Sequence, residues 1–246
     1  MGVSLTLSPG QLRVGAAFPD PPFDLPGDPP SGFDVALMQG VAAELGLHAS
    51  FVAYQGDDFE GIFHGLAAGA YDAIASGTTV TAARRRVARF CRPYLRSGQS
   101  LVVDPARRPE VRSLDDLRGL TLGVQRGNPS EPVARRLEAA GKVGKVRIYP
   151  YHAILTALDD LATGALDAFM KLEPVMRWLG RDRPSLRIVQ AGITAEELAV
   201  AVALDNEPLA TAIDGAIARL AAGGTLAGLV RLWLGGEQCH LAEAPG

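Results

Sequence analysis

Short apolar runs alternate with longer helical stripes along this chain, and the alternation happens twice. Leu12-Arg13-Val14-Gly15 and Leu120-Thr121-Leu122-Gly123-Val124 are compact runs suited to buried strands. Further on, Leu66-Ala67-Ala68-Gly69-Ala70-Tyr71-Asp72-Ala73-Ile74 returns as Leu161-Ala162-Thr163-Gly164-Ala165-Leu166-Asp167-Ala168-Phe169. Each copy reads as a helix closed by glycine, which suits the left-handed conformation past a helix end, and then a short strand. Each half therefore reads strand, helix, helix, strand, the grammar of a parallel α/β sheet. Chance likeness between alanine-rich helix ends is the competing reading. Two different elements recurring in the same order favour two similar lobes.

The intervening segments carry their own signals. Residues 33–45 place Leu37, Met38, Val41 and Leu45 on one helical face, with Gly46 just beyond. Asp57 and Glu60 have the spacing of an N-terminal capping pair, ahead of Ile62 and Leu66. In Asn128-Pro129-Ser130-Glu131 the asparagine can cap, the proline suits the first helical position and the glutamate suits the first turn. Gly141 closes that helix. Residues 199–204 read as a strand by length and flanks, and 207–220 and 225–234 as two terminal helices.

Composition narrows the class. The chain has 246 residues, 48% apolar and 21% charged, with a formal net charge of −3. That excludes a disordered or collagen-like chain and leaves room for one large domain or two lobes. No basic run exceeds Arg84-Arg85-Arg86, so nucleic acid is not the expected partner. Cys91 and Cys239 are too few and too isolated for a disulfide framework or a zinc site, although one bridge between them stays open. No apolar run approaches the ~20 residues of a membrane span. The first residues lack the pattern of a secretory signal, which fits either a cytoplasmic protein or a mature, processed one.

In open parallel sheets, ligands bind beyond the carboxyl ends of the strands. That rule selects four loops, 17–23, 77–84, 126–131 and 172–174, two from each half, and so a cleft between lobes. The loop Ser76-Gly77-Thr78-Thr79-Val80-Thr81-Ala82-Ala83-Arg84 gathers backbone N–H groups, hydroxyls and a guanidinium. A carboxylate suits that set, because arginine offers a planar fork and hydroxyls fill the remaining lone pairs. A Thr81 helix cap followed by a solvated arginine run is the alternative, and for Arg85 and Arg86 it is the better one. No phosphate loop, His-Glu-x-x-His motif or serine elbow is present, and the four histidines are scattered. No catalytic residue, metal site or cofactor is expected.

The ordered motifs Leu12-Arg13-Val14-Gly15, Pro21-Pro22-Phe23, Gly32-Phe33-Asp34-Val35, Gly69-Ala70-Tyr71-Asp72-Ala73, Thr81-Ala82-Ala83-Arg84, Phe90-Cys91-Arg92-Pro93-Tyr94, Leu114-Asp115-Asp116-Leu117-Arg118-Gly119 and Gly223-Gly224-Thr225-Leu226 resemble the family 3 bacterial solute-binding proteins. These are the polar amino-acid receptors of ABC importers. The resemblance runs from Leu12 to Leu234 and implies an α/β, two-lobed type II periplasmic-binding-protein fold with a ligand cleft between lobes. Residues 1–102 plus 198–246 would form the first lobe and 103–197 the second, joined by crossings near 100–103 and 191–198. It also implies a monomeric periplasmic or membrane-tethered receptor without a cofactor, taking a small carboxylate-bearing ligand and serving a membrane permease.

Carried over residue by residue, the resemblance puts the carboxylate-binding arginine at Arg84 and its hydroxyl partner at Thr79. Ser76, Gly77 and Thr78 provide the surrounding loop, Phe59 an aromatic wall, and Asn128 and Ser130 the start of a second-lobe helix. Three positions depart from the pattern. Asp20 replaces the aromatic that precedes Pro-Phe, with Phe18 two residues earlier. Pro129, which has no N–H, takes a donor's place. Leu172 stands where the amine-holding carboxylate belongs, leaving Lys171 and Glu173 as the nearest charges. A buried ammonium needs an acceptor, so a usual amino-acid pose requires Glu173 or Asp20 to stand in. Lys171 reads either as a second cation in the cleft or as a surface lysine at a strand end. Glu173 reads as a ligand group or as a first-turn helix residue. Two alternatives share the scaffold: a cyclohexadienyl-dehydratase-like enzyme with Glu173 as general acid, and the ligand-sensing domain of a signalling receptor.

Overall fold

The computed structural model describes residues 5–235 and 240–241. Cys239, and with it the bridge to Cys91, lies outside the described residues. The chain runs β1 (Gln11–Ala16), α1 (Phe33–Glu44), β2 (His48–Ala53), α2 (Gly61–Ala67), β3 (Ala73–Ile74), β4 (Arg89–Phe90), β5 (Leu95–Ser97) and β6 (Gln99–Val103). It continues through β7 (Thr121–Gln125), α3 (Ser130–Ala139), β8 (Lys145–Tyr149), α4 (Ile154–Thr163), β9 (Ala168–Leu172), α5 (Glu173–Leu179) and β10 (Arg187–Gln190). The last elements are β11 (Glu196–Leu198), β12 (Ala201–Val202), α6 (Glu207–Ala222), α7 (Thr225–Leu234) and β13 (His240–Leu241). No single helix among the described residues is long and apolar enough to cross a membrane.

Two compact units result. One comprises Met1–Gln55, Gly61–Arg96 and Glu196–Gly246, the other Gly56–Glu60 and Ser97–Ala195. The chain enters the second unit before residue 99, earlier than the boundary expected after residue 102. The reason is that β6 pairs antiparallel with β9 and β10 and so belongs wholly to the second sheet.

The first unit's sheet has the order β2-β1-β3-β12-β4 and the second's β10-β6-β9-β7-β8. In each, three strands are parallel with the earliest in the middle, and an antiparallel strand extends the sheet beside the third. The pattern in each half is thus strand, helix, strand, helix, strand. The expected helix–helix succession lacked β2 and β8. Both are edge strands of half-exposed residues, so neither shows a continuous apolar run.

The sequence repeat has a physical basis. Asp72 accepts hydrogen bonds from the N–H groups of Arg13 (2.8 Å) and Leu7 (2.6 Å), tying the entry of β3 to that of β1. Asp167 accepts the Thr121 N–H at 2.7 Å, tying β9 to β7 in the same way, and also binds Arg108. Gly15 and Gly123 sit at equivalent points of β1 and β7. A Cβ on Gly15 would lie 2.7 Å from the Tyr71 ring, and one on Gly123 2.6 Å from Leu166. Tyr71 and Leu166 are the corresponding residues of the repeat. Gly69 (φ 70°) and Gly164 (φ 85°) take the left-handed conformation that ends α2 and α4.

Local start signals fared unevenly. Asn206 caps α6 through its side chain, at 3.1 Å from the Leu209 N–H. Asp57 does not cap α2: Asp58 instead accepts the Glu60 N–H at 2.9 Å, and the Asp57 carboxylate lies 3.2 Å from His152 Nδ1. Asn128 does not cap α3 through its side chain either. Its amide oxygen is taken by Lys171.

Candidate functional site

In each unit, sequence-selected residues gather in the loops that follow the parallel strands. In the first unit the loop after β3 is held from beneath by carboxylates. Ser76 donates its hydroxyl hydrogen bond to Asp24 and accepts the Ala17 N–H at 3.1 Å. Gly77 donates its N–H to Asp34 at 2.6 Å. Its φ of 53° and the Phe23 ring, 2.8 Å from where a Cβ would stand, require glycine there. Asp20 completes this base: it is buried, and its N–H bonds Asp24 at 2.7 Å. Phe18 is half-buried.

This base shapes protonation. Burial pushes the Asp34 carboxyl up to about 7, against the stabilising Gly77 N–H, because the charged form loses its hydration. Burial, aided by the Asp20 charge, raises the Asp24 carboxyl as well. The Ser76 hydroxyl and the Gly77 N–H are engaged by these carboxylates. They set the loop's shape.

The other half of this loop carries the guanidinium. Thr81 accepts the Arg84 N–H at 3.1 Å, so the cap reading holds for its side chain. The three arginines that follow then diverge. Arg85 and Arg86 are exposed, whereas Arg84 is turned inward with only 2% of its surface accessible. Arg84 Nη1 donates to the Thr79 carbonyl at 2.9 Å, and the guanidinium lies 5.4 Å from the Phe63 ring centroid. The Thr79 hydroxyl donates to Glu196 at 2.7 Å. Thr78 is wholly buried, and its hydroxyl has no hydrogen-bond partner. Asp24, Asp34, Phe63 and Glu196 were not selected from the sequence. Their contacts span tens of residues, and no local spacing announces them.

In the second unit Phe59 precedes α2 and donates its N–H to the Arg126 carbonyl at 3.4 Å. Its ring is 5.1 Å from that of Tyr151, a residue the sequence reading passed over. Lys171, at the end of β9, is not a surface lysine: it is 1% exposed. Its ammonium lies 3.3 Å from the Asn128 amide oxygen and 5.2 Å from the Tyr151 ring centroid. Ser130 opens α3, fully buried, and its hydroxyl has no hydrogen-bond partner. Glu173 opens α5, where its carboxylate accepts from Arg177 Nε at 2.8 Å and Nη2 at 2.6 Å. It takes the first-turn position of α5, with its Oε1 held by Arg177. Leu172 is buried. Among the described residues no group of three or more histidine, cysteine or acidic side chains could hold a metal ion. The Cys91 thiol is buried, which pushes its ionisation far above the ordinary range and leaves it unreactive.

Two α/β units, each interrupting or completing the other in sequence, and each with a polar cluster at its strand ends, define a solute-binding class of fold. Residues 12–236 match the bacterial extracellular solute-binding proteins, family 3. The chain belongs to that family, and its architecture is the type II periplasmic-binding-protein fold. It is 28% identical to the L-cystine-binding protein TcyJ of Escherichia coli (strain K12), over 93% of this chain and 84% of that protein. An ancestral arginine-binding protein bound to arginine superposes with a TM-score of 0.83 at 29% identity, covering 91% of this chain and 98% of the other. The ancestral amino acid-binding protein AncCDT-1, a precursor of cyclohexadienyl dehydratase, superposes with a TM-score of 0.81 at 27% identity, covering 92% and 95%.

Proposed function

We propose that this protein is the extracytoplasmic receptor of an ABC importer, acting as a monomer that delivers a small, carboxylate-bearing amino acid or close analogue to a membrane permease. The observation that carries this reading is Arg84. A guanidinium with 2% exposure, held by the Thr79 carbonyl beside the Phe63 ring in the loop after β3, is a fixed planar fork suited to a carboxylate. Family membership and the amino-acid-binding relatives supply the solute class. The enzymatic alternative has less support, because the relatives are binding proteins and the Oε1 of Glu173, its candidate general acid, is paired with Arg177.

The test is a thermal-shift screen of amino acids, including cystine and arginine, with keto acids, dicarboxylates and amines. A specific solute raises the unfolding temperature by mass action. A shift confined to carboxylate-bearing compounds, lost in Arg84→Ala, is the expected result. Stabilisation by amines alone, or turnover of a bound carboxylate, refutes the reading.

A further inference from the structure

Residues Gly56–Glu60 lie between β2 and α2 in the chain, yet they pack as part of the second unit. They settle on the loops that follow β7 and β8, at the carboxyl ends of two parallel strands. The Tyr151 N–H donates to the Asp57 carbonyl at 2.7 Å, and the Phe59 N–H to the Arg126 carbonyl at 3.4 Å. The Phe59 ring packs 5.1 Å from that of Tyr151, and both residues are buried. Gly127 is fitted to this segment. Its φ is 74°, and a Cβ there would strike Asp58 Oδ1 and stand 2.8 Å from the Phe59 nitrogen and 3.0 Å from that of Glu60.

Lys171 adjoins both points of attachment. Its ammonium is 3.3 Å from the amide oxygen of Asn128, the residue after Gly127, and 5.2 Å from the centroid of the Tyr151 ring on which Phe59 packs. It is 1% exposed. Two backbone bonds and a ring contact are a lighter hold than the strand ladders beside them, and glycines stand at both ends, Gly56 and Gly61. Short segments held in this way, with small residues at their ends, are the ones that open locally.

We infer that residues 56–60 are a lid on the second unit: docked, they close over Tyr151 and Lys171, and lifted, they open these side chains to solvent and to an incoming solute. As a gate the lid rests on the receptor reading, under which Phe59, Asn128 and Lys171 belong to the solute site. Its docking and release do not.

The chain supplies its own reporters, since Lys142, Lys145 and Lys171 are its three lysines and the first two are exposed. The full chain, without solute, is acylated with a small N-hydroxysuccinimide ester and each lysine is followed by peptide mass spectrometry, with amide hydrogen exchange read in parallel. In the wild type Lys171 should react about tenfold or more slowly than Lys145, and the segments 57–60 and 150–152 should be protected from exchange. Phe59→Ala removes the ring that holds the lid, and Gly127→Ala blocks its seat. Each should raise the Lys171 rate relative to Lys145 about fivefold or more and free both segments, while β7 and β9 stay protected. Should Gly127→Ala fail to fold, Phe59→Ala decides. An unchanged Lys171 rate in a folded Phe59→Ala protein overturns the inference, as does wild-type exchange in 57–60 as fast as in an exposed loop. Loosening of β7 and β9 along with Lys171 overturns it too, because the whole unit then opens and not a lid. None of these measurements involves a solute, so a thermal screen without a hit removes the receptor reading and leaves the lid standing.

Discussion

Replacing Asp34 by asparagine should flatten the protein's stability against pH. Asp34 is completely buried, and its carboxyl is lifted from an ordinary value of 3.8 to about 7. The folded state therefore holds this proton more tightly than the unfolded chain does. Stability from this group is complete below about pH 3.8, falls as pH rises, and levels off above about 7. At about 1.4 kcal/mol per pH unit, the loss across that window is about 4 kcal/mol. Asparagine keeps an oxygen to accept the Gly77 N–H but cannot ionise. Asp24 acts with the same sign and stays in both proteins, so the informative quantity is the difference between them. Urea unfolding of wild type and Asp34→Asn at half-unit steps from pH 4 to 8 measures it. The variant should gain on wild type steadily between pH 4 and 7 and hold that gain above 7. Parallel curves for the two proteins would refute the argument that burial governs this carboxyl.

Three further outcomes follow from particular contacts. Asp72→Ala and Asp167→Ala each strand a strand-entry N–H, so each should cost about 1–3 kcal/mol in chemical denaturation. Gly15→Ala forces a methyl into the Tyr71 ring and should destabilise by about 1–3 kcal/mol, visible as a lower unfolding temperature. Glu173→Gln breaks the Arg177 pair on α5 but should leave the affinity for the solute within about threefold, read by titration.

The repeat was legible because its positions do the same work twice. A strand glycine faces Tyr71 in one half and Leu166 in the other, and an aspartate ties the third strand to the first in both. The edge strands β2 and β8 were not legible, since half-exposed strands lose the apolar run that marks buried ones. Within the candidate site, chemistry was easier to read than occupancy. Ser76 and Gly77 were legible as loop residues, but the bonds of the Ser76 hydroxyl to Asp24 and of the Gly77 N–H to Asp34, residues far away in sequence, were not. Three successive arginines look alike on paper. Only the turn capped by Thr81 decides that Arg84 points inward. Lys171 was open between two readings, and its burial beside Asn128 and Tyr151 removes the one that made it a surface lysine.

Binding at Arg84 is the central claim, and calorimetric titration of its variants tests it most directly. With the solute found by the thermal screen, Arg84→Ala should lose at least about 2 kcal/mol, about thirtyfold in affinity, because a charged partner of the ligand is gone. Arg84→Lys should recover little of it, since an ammonium lacks the planar fork. A folded Arg84→Ala protein that binds the same solute with wild-type affinity would contradict the account.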